Sequence, residues 1–359
     1  MFADLMAKAQ RFAEWVGAQL LQIVTDGESR FHWVYLLSFA VTVAALYALR
    51  FGRKQGFTLS GFLAFLLPKD IYFSRSARLD LELYFVNRIV SPVRFLLPFM
   101  STAFVAGYVT SWLIAGFGPI DPVFPQTWWT ILLFTIGVMA MSDLGEYVTH
   151  RIHHEIPMLW AFHKVHHSAN VLTPMTAHRM HPVYDISDII IRSSFAGTFQ
   201  GLFVYLTVGQ LSLFTLLGAN ALLALYFFCG SHLRHSHIWF SYGPILSHVF
   251  MSPAQHQIHH SYLPQHLNKN YSDLFSLWDR LFGTLYVPKG QEELKIGVGD
   301  EQPHPTLWKA YAVPFVECWE MWRLGPATLF SFTALARLQE AAARNVTAAN
   351  TNTTSRIAA

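Results

Sequence analysis

The chain has 359 residues, 53% hydrophobic and only 13% charged, against a charged fraction of about a quarter in soluble domains. With a positive mean hydropathy, this excludes an ordinary soluble globular protein and indicates a membrane protein. The net charge of +3 comes without a lysine–arginine run, so no nucleic-acid surface is expected. Two cysteines, Cys229 and Cys318, are too few for a disulfide framework, a cysteine-ligated iron–sulfur cluster or a four-cysteine zinc site.

Residues 1–30 mix apolar and charged positions at helical spacing and lack the clean apolar core of a cleavable signal. They read as an amphipathic segment at the membrane interface, or equally as an amphipathic helix packed on the body. A span needs about 20 apolar residues. Phe31–Leu49 is the first such stretch, ending at Arg50, Arg53 and Lys54. A polar and basic loop over 50–90 follows, with an apolar patch at Phe62–Leu67 suited to the interface. Phe95–Phe117 and Trp128 to about Val148 give spans two and three within 31–142, the latter with Trp128 and Trp129 as interfacial anchors. Ile186–Val208 and Leu211–Phe228 form an expected helical hairpin, 186–228, turning near Gly209. Five spans result. The basic loop places its own side in the cytoplasm, and counting spans forward puts every histidine cluster on that same side.

After His260 the chain is less apolar. Residues 289–335 carry spaced tryptophans and read as interfacial helices, and 336–359 has the composition of a disordered tail. The Asn345 and Asn352 sequons would then face the cytoplasm, unused. No repeat of twenty to fifty residues is visible.

Sixteen of the eighteen histidines lie between His150 and His266. They form His150-x3-His154, His163-x2-His166-His167, His232-x2-His235 and His256-x2-His259-His260. On a helix, residues three and four apart share a face, so each cluster aims several imidazoles the same way. As isolated core histidines, so many imidazoles would leave buried polar atoms unsatisfied. The two triplets, His150, His154 and an extra histidine make nine or ten nitrogens, too many for one ion, so two metal ions are expected. A nitrogen-rich set without thiolate suits a pair of oxygen-activating irons and suits zinc as well.

Asp143, Tyr147, His150 and His154 lie along one stripe of the third span, with Glu146 one turn before His150. Carboxylates beside metal-bound imidazoles usually accept the second ring N–H. Asp143 and Glu146 are therefore expected to orient the ligands, with direct coordination as the lesser alternative, and Tyr147 of the same stripe is grouped with them; a helix end reaching headgroups is the plain alternative for Glu146. His178 and His181 are read as supporting ligands or facing substrate. His237, His248 and His266 carry no spacing pattern and read as structural.

His150-x3-His154, His163-Lys-Val-His-His167-Ser, Arg179-Met-His-Pro182 and His256-Gln-Ile-His-His260, then Asn270-Tyr271 and Trp278-Asp-Arg-Leu-Phe-Gly-Thr284, resemble the fatty acid hydroxylase/sterol desaturase superfamily over about Asp143–Pro288. The resemblance implies an all-α integral membrane protein whose cytoplasmic helical cap, within 143–288, holds a histidine-rich dimetal site. It implies a non-haem di-iron oxidoreductase that uses O2 to hydroxylate or desaturate a lipid C–H bond. By matching motif, His150, His154, His163, His166, His167, His256, His259 and His260 would be ligands. His235 matches the family's intervening histidine, and His232 is the candidate for the tenth nitrogen. His153 competes with His154 in the first box.

Removing hydrogen from an alkyl chain needs an oxidant that neither acid–base nor nucleophilic catalysis supplies. The sequence shows no electron-carrier segment, so a separate donor of cytochrome b5 or ferredoxin type, with its reductase, is expected. A bacterial inner membrane is favoured, with endoplasmic reticulum giving the same topology. Three other readings fit less well. Zinc hydrolysis lacks an HExxH motif. Metal transport would place histidines at mid-membrane rather than at span ends, and a haem carrier needs single facing histidines rather than triplets.

Overall fold

The computed structural model describes residues 32–52, 56–90, 100–125, 127–207, 215–216, 219–299 and 302–339, with scattered helical positions between 4 and 25. Most of the expected N-terminal amphipathic segment and nearly all of the expected tail lie outside these residues.

Among the described residues, three helices are long and apolar enough to cross a membrane: Trp33–Gly52, Trp128–Glu155 and Pro182–Leu206. In chain order, α1 is Trp33–Tyr47, extended to Gly52 by a wider turn, and α2 is Leu59–Leu66. Then come α3, Arg75–Val90, and α4, Thr102–Phe117, capped by the Ser101 side chain on Phe104 N. The long α5, Trp128–Glu155, is followed after the single extended residue Ile156 by α6, Pro157–His167, and later by α7, Pro182–Leu206.

The expected five spans are not confirmed among the described residues: α4 has 16 described residues, Thr102–Phe117, the described helix in the second arm of the hairpin is α8, Ala221–Phe228, and much of the rest of both expected spans lies outside the described residues. Ahead of α8, Thr215–Leu216 pairs antiparallel with Ala219–Asn220.

Helix α7 packs along both α4 and α5. Small residues permit the close approach, as is common between membrane helices. A Cβ on Gly145 of α5 would lie 2.6 Å from the Arg192 backbone, and one on Gly201 of α7 would lie 2.6 Å from the Ala106 carbonyl. Above this trio sits a cap of short helices. Helix α9 is Pro253–His259, with Ser252 and Gln255 closing a reciprocal cap; α10 is Leu277–Phe282 and α11 is Leu307–Leu324. Helix α6 packs on α5 and α11, tied to the latter by Lys164 Nζ and Glu317 at 2.5 Å.

The basic loop over 50–90 is largely helical. Its α3 contributes Asp80, fully buried against Arg179 at 3.0 Å. The Arg179 guanidinium also donates to the Val165 carbonyl at 2.9 Å and to Ser168 Oγ at 2.9 Å. Thr176 Oγ1 donates to Asp80 at 2.6 Å. One buried ion pair thus fastens α3 to the end of α6 where the histidines stand.

Candidate metal centre

Two groups of histidines converge at the end of α5. His150, His154, His163, His167 and His259 form one; His166, His235, His256 and His260 form the other, the ligand-capable nitrogens of each group lying within 4.8 Å of one another. The helical spacing does what it implies. Positions i and i+4 bring His150 and His154 together on α5, and His163 and His167 on α6. His166, one residue out of phase, turns to the second group. His256, His259 and His260 divide between the two in the same way. The groups abut, with the His167 and His260 rings 4.6 Å apart.

The nitrogens face inward. Nε2 of His167 lies 3.1 Å from Nε2 of each of His154, His163 and His259. In the second group His235 Nε2 lies 2.9 Å from His256, 3.1 Å from His260 and 3.3 Å from His166. Two ring nitrogens share at most one proton per contact, so one Nε2 cannot hydrogen-bond three others at once. Nitrogens bound about 2.1 Å from a shared ion at angles of 90–110° would lie about 3.0–3.4 Å apart. The observed separations fit that arrangement. Buried His150 Nε2, which has no hydrogen-bond partner among the described residues, also fits a ligand role.

Backbone carbonyls set the tautomers. His150 Nδ1 lies 2.7 Å from the Tyr271 carbonyl and His259 Nδ1 2.8 Å from the Lys269 carbonyl. A carbonyl only accepts, so both Nδ1 atoms carry the proton and both Nε2 atoms keep their lone pair for the centre. Asn268 and Asn270 both have φ of +58°, the left-handed conformation Asn tolerates. This alternation turns carbonyls 269 and 271 onto the imidazoles. Asn270 is pinned by its amide to the Gln255 carbonyl at 3.0 Å and by Tyr286 N at 2.7 Å. Asp279 accepts from Tyr271 N, Ser272 N and Thr284 Oγ1 at 2.8, 2.9 and 2.6 Å. The Asn-Tyr and Trp-Asp…Gly-Thr motifs thus have a physical role: they hold the carbonyl loop.

Burial pushes His163, His167, His256, His259 and His260 well below the ordinary histidine range. All five are neutral at pH 7, the form that binds metal.

The other expected site residues are placed as follows. Asp143 orients no imidazole; it accepts from Leu274 N, Phe275 N and Trp278 Nε1 at 2.7–3.0 Å, bracing the chain beyond the carbonyl loop. Glu146 pairs with Arg192, which also meets Asp188 at 3.0 Å. Tyr147 lies 3.1 Å from Thr284 Oγ1 and stacks on Phe282. Carboxylates were the natural guess for orienting groups, but the backbone does that work. His232 joins neither group: its Nε2 faces Ser38 of α1 at 3.3 Å, so the structure gathers nine histidines. His153 is turned away, Nδ1 on the Thr149 carbonyl at 2.7 Å and Nε2 3.0 Å from Ser187 Oγ, which leaves His154 at the centre. His181 caps α7 through Val183 N at 3.1 Å, and His178 packs against Tyr84. His237, His248 and His266 bond the Phe65 carbonyl, the Pro244 carbonyl and Glu292.

Two openings reach the centre. A cavity of about 440 Å³ is lined by His154, His167, His259 and His260 with Trp160 and Leu267. A narrow one of about 30 Å³ lies beside His150, His163, His166 and His235, with Glu146 and Asp273 in its wall. The latter carboxylate is ion-paired with Arg234.

Fold and site together define a helical membrane protein with a buried, all-histidine centre shaped for two metal ions. Residues 134–284 match the fatty acid hydroxylase family, which supports the expected likeness to the fatty acid hydroxylase/sterol desaturase superfamily over that stretch. The chain is similar to the ornithine lipid hydroxylase OlsE of Rhizobium tropici, 29% identical over 48% of this chain and 48% of that protein. It is similar to the alkylglycerol monooxygenase of Danio rerio, 29% identical over 54% of this chain and 38% of the relative. The Delta(7)-sterol 5(6)-desaturase of Eremothecium gossypii is 30% identical over 44% and 39%. The matches thus span half the length of these relatives or less. No solved structure matches.

Proposed function

We propose that this protein is a membrane-bound non-haem di-iron oxidoreductase that hydroxylates or desaturates a C–H bond of a lipid. The observation that carries the reading is the division of nine histidines, eight of them buried and His154 partly so, into groups of five and four with converging ring nitrogens. Two irons held there would supply O2 activation, the chemistry that an unactivated C–H bond requires. The hydroxylation balances as R–H plus O2, two electrons and two protons giving R–OH and water; desaturation removes two hydrogens and yields two waters.

This chain's own residues do the rest. Neutral imidazoles would hold the ions without adding charge, the carbonyls of Lys269 and Tyr271 fix the ligand tautomers, and the cavity beside Trp160 and Leu267 offers room for an apolar chain. The names of the similar proteins supply the candidate substrates: an ornithine lipid, an alkylglycerol or a sterol. Electrons come from a separate donor protein, and the histidine side faces the cytoplasm. The site also suits zinc chemically, so the metal must be measured.

The deciding experiment pairs metal analysis of the purified protein with lipid profiles of cells with and without it. About two irons per chain and a lipid gaining one oxygen are expected for a hydroxylase; a lipid losing two hydrogens identifies a desaturase. Protein without iron, together with an unchanged lipid profile, refutes the reading. Cysteines placed in the 117–126 loop and near Ser168 test the sidedness, the first labelling from outside and the second not.

A further inference from the structure

Part of the larger cavity is built by chain beyond the matched region, which ends at residue 284. Gly297, Val298 and Phe332 line it opposite His154, His167, His259 and His260. Phe332 does not hang loose at the mouth. The bend that delivers it is held by Thr328, fully buried, whose Oγ1 meets the Met321 carbonyl at 2.5 Å and the Gly325 carbonyl at 2.8 Å. At that bend Gly325 has φ of +153° and lies against Leu338.

The helix leading into the bend carries its large apolar residues outward. Trp308, Phe315, Trp319 and Trp322 of α11 are each at least half exposed, and their spacing of seven, four and three puts them on one face. Aromatic faces of this kind sit at the membrane–water boundary. Phe332 itself is 41% exposed, so it borders the cavity on one side and the surroundings of that helix on the other. The cavity wall and the lipid-facing surface are therefore one continuous piece of chain.

Resting on the activity proposed above, we propose that Phe332 and Val298 form the selectivity wall for the alkyl chain of the lipid substrate. They decide which chain enters from the bilayer and which carbon stops beside the histidines. A side chain touching an apolar chain discriminates by roughly tenfold or more per methylene gained or lost, so changes of several carbons at these positions are large enough to read.

Two measurements test this. First, lipid profiles are recorded for Phe332→Ala, Phe332→Trp and Val298→Trp alongside the wild-type chain, with metal per chain measured on each. The expected result is unchanged metal content and a change of about tenfold or more in the ratio of oxidised species differing in chain length or in the carbon attacked. A product ratio equal to wild type in all three variants overturns the proposal. Second, a photoreactive phenylalanine analogue is placed at position 332 and, separately, at Phe330, which is 63% exposed. Capture at 332 of lipids enriched over bulk membrane, with bulk composition captured at 330, supports the wall even if the wild-type chain oxidises no lipid; that outcome sinks only the assigned activity. Capture of bulk composition at both positions overturns the wall, whatever the activity.

Discussion

Replacing Asn270 with alanine removes the two side-chain bonds that hold the carbonyl loop, to the Gln255 carbonyl and from Tyr286 N, both in buried surroundings. Each partner left unsatisfied costs about 1–3 kcal/mol, and alanine at φ of +58° adds about 1–2 kcal/mol. The total is about 5 kcal/mol, comparable with the whole stability of a small domain. Loosening this loop withdraws the Tyr271 and Lys269 carbonyls from His150 and His259. Losing such outer partners costs about 10–100-fold in metal affinity. The assay is a competition for metal against a chelator of known affinity, with thermal unfolding recorded before and after metal removal. Asn270→Gly, which restores the backbone conformation but not the side-chain bonds, should recover about 1 kcal/mol of stability and little of the affinity. Asn270→Ala with wild-type metal retention would refute the claim that this residue holds the carbonyls.

His163→Ala and His259→Ala should each abolish metal retention, while His153→Ala and His232→Ala should keep it; metal per chain in the four proteins checks the assignment of His154 and the exclusion of His232. Arg179→Met strands Asp80 in the interior and should cost about 3–5 kcal/mol. The double substitution Asp80→Leu with Arg179→Met should recover a substantial part, read from thermal unfolding in detergent. In chelator-treated protein, stability should be full above about pH 6.5 and fall as acid is added. The unfolded chain takes up protons near pH 6.5 that His163, His167, His256, His259 and His260, all lowered by burial, refuse. Each contributes a slope of up to about 1.4 kcal/mol per pH unit; unfolding temperatures unchanged from pH 7.5 to 5.5 would contradict the burial of these rings.

Helical spacing gathered the candidate ligands into clusters, because i, i+3 and i+4 positions on one turn translate directly into geometry, and the family resemblance named eight of them. Spacing left His153 against His154 open, since adjacent residues differ by only 100° and the packing of α7, through Ser187, decides between them. His232 shares a 3₁₀ turn, Ser231–His235, with His235, but its ring is held by Ser38 of α1, a partner that spacing does not show. The orienting groups were invisible for a different reason: a carbonyl has no sequence signature. Only the left-handed asparagines at 268 and 270 and the acceptor Asp279 betray it, and those stood in the sequence as motifs without a role. The buried Asp80–Arg179 pair was hidden because a basic stretch between apolar spans looks like solvated loop until its partner, some hundred residues away, is known.

Helix α5 is also a depth gauge. Its 28 residues rise about 42 Å, and a hydrocarbon core of about 30 Å uses about twenty of them. With Trp128 and Trp129 at one boundary, the other falls near Tyr147, less than one turn below His150. The histidine centre would then stand level with the glycerol and headgroup layer of a leaflet, coupled through one helix to the anchor on the far side. Under the proposed activity, a lipid in place would offer it atoms near the headgroup first, whereas the end of a chain would have to fold back by most of a leaflet thickness. Thinner or thicker bilayers would then move that reach along the lipid, which would make membrane thickness itself a determinant of the carbon attacked.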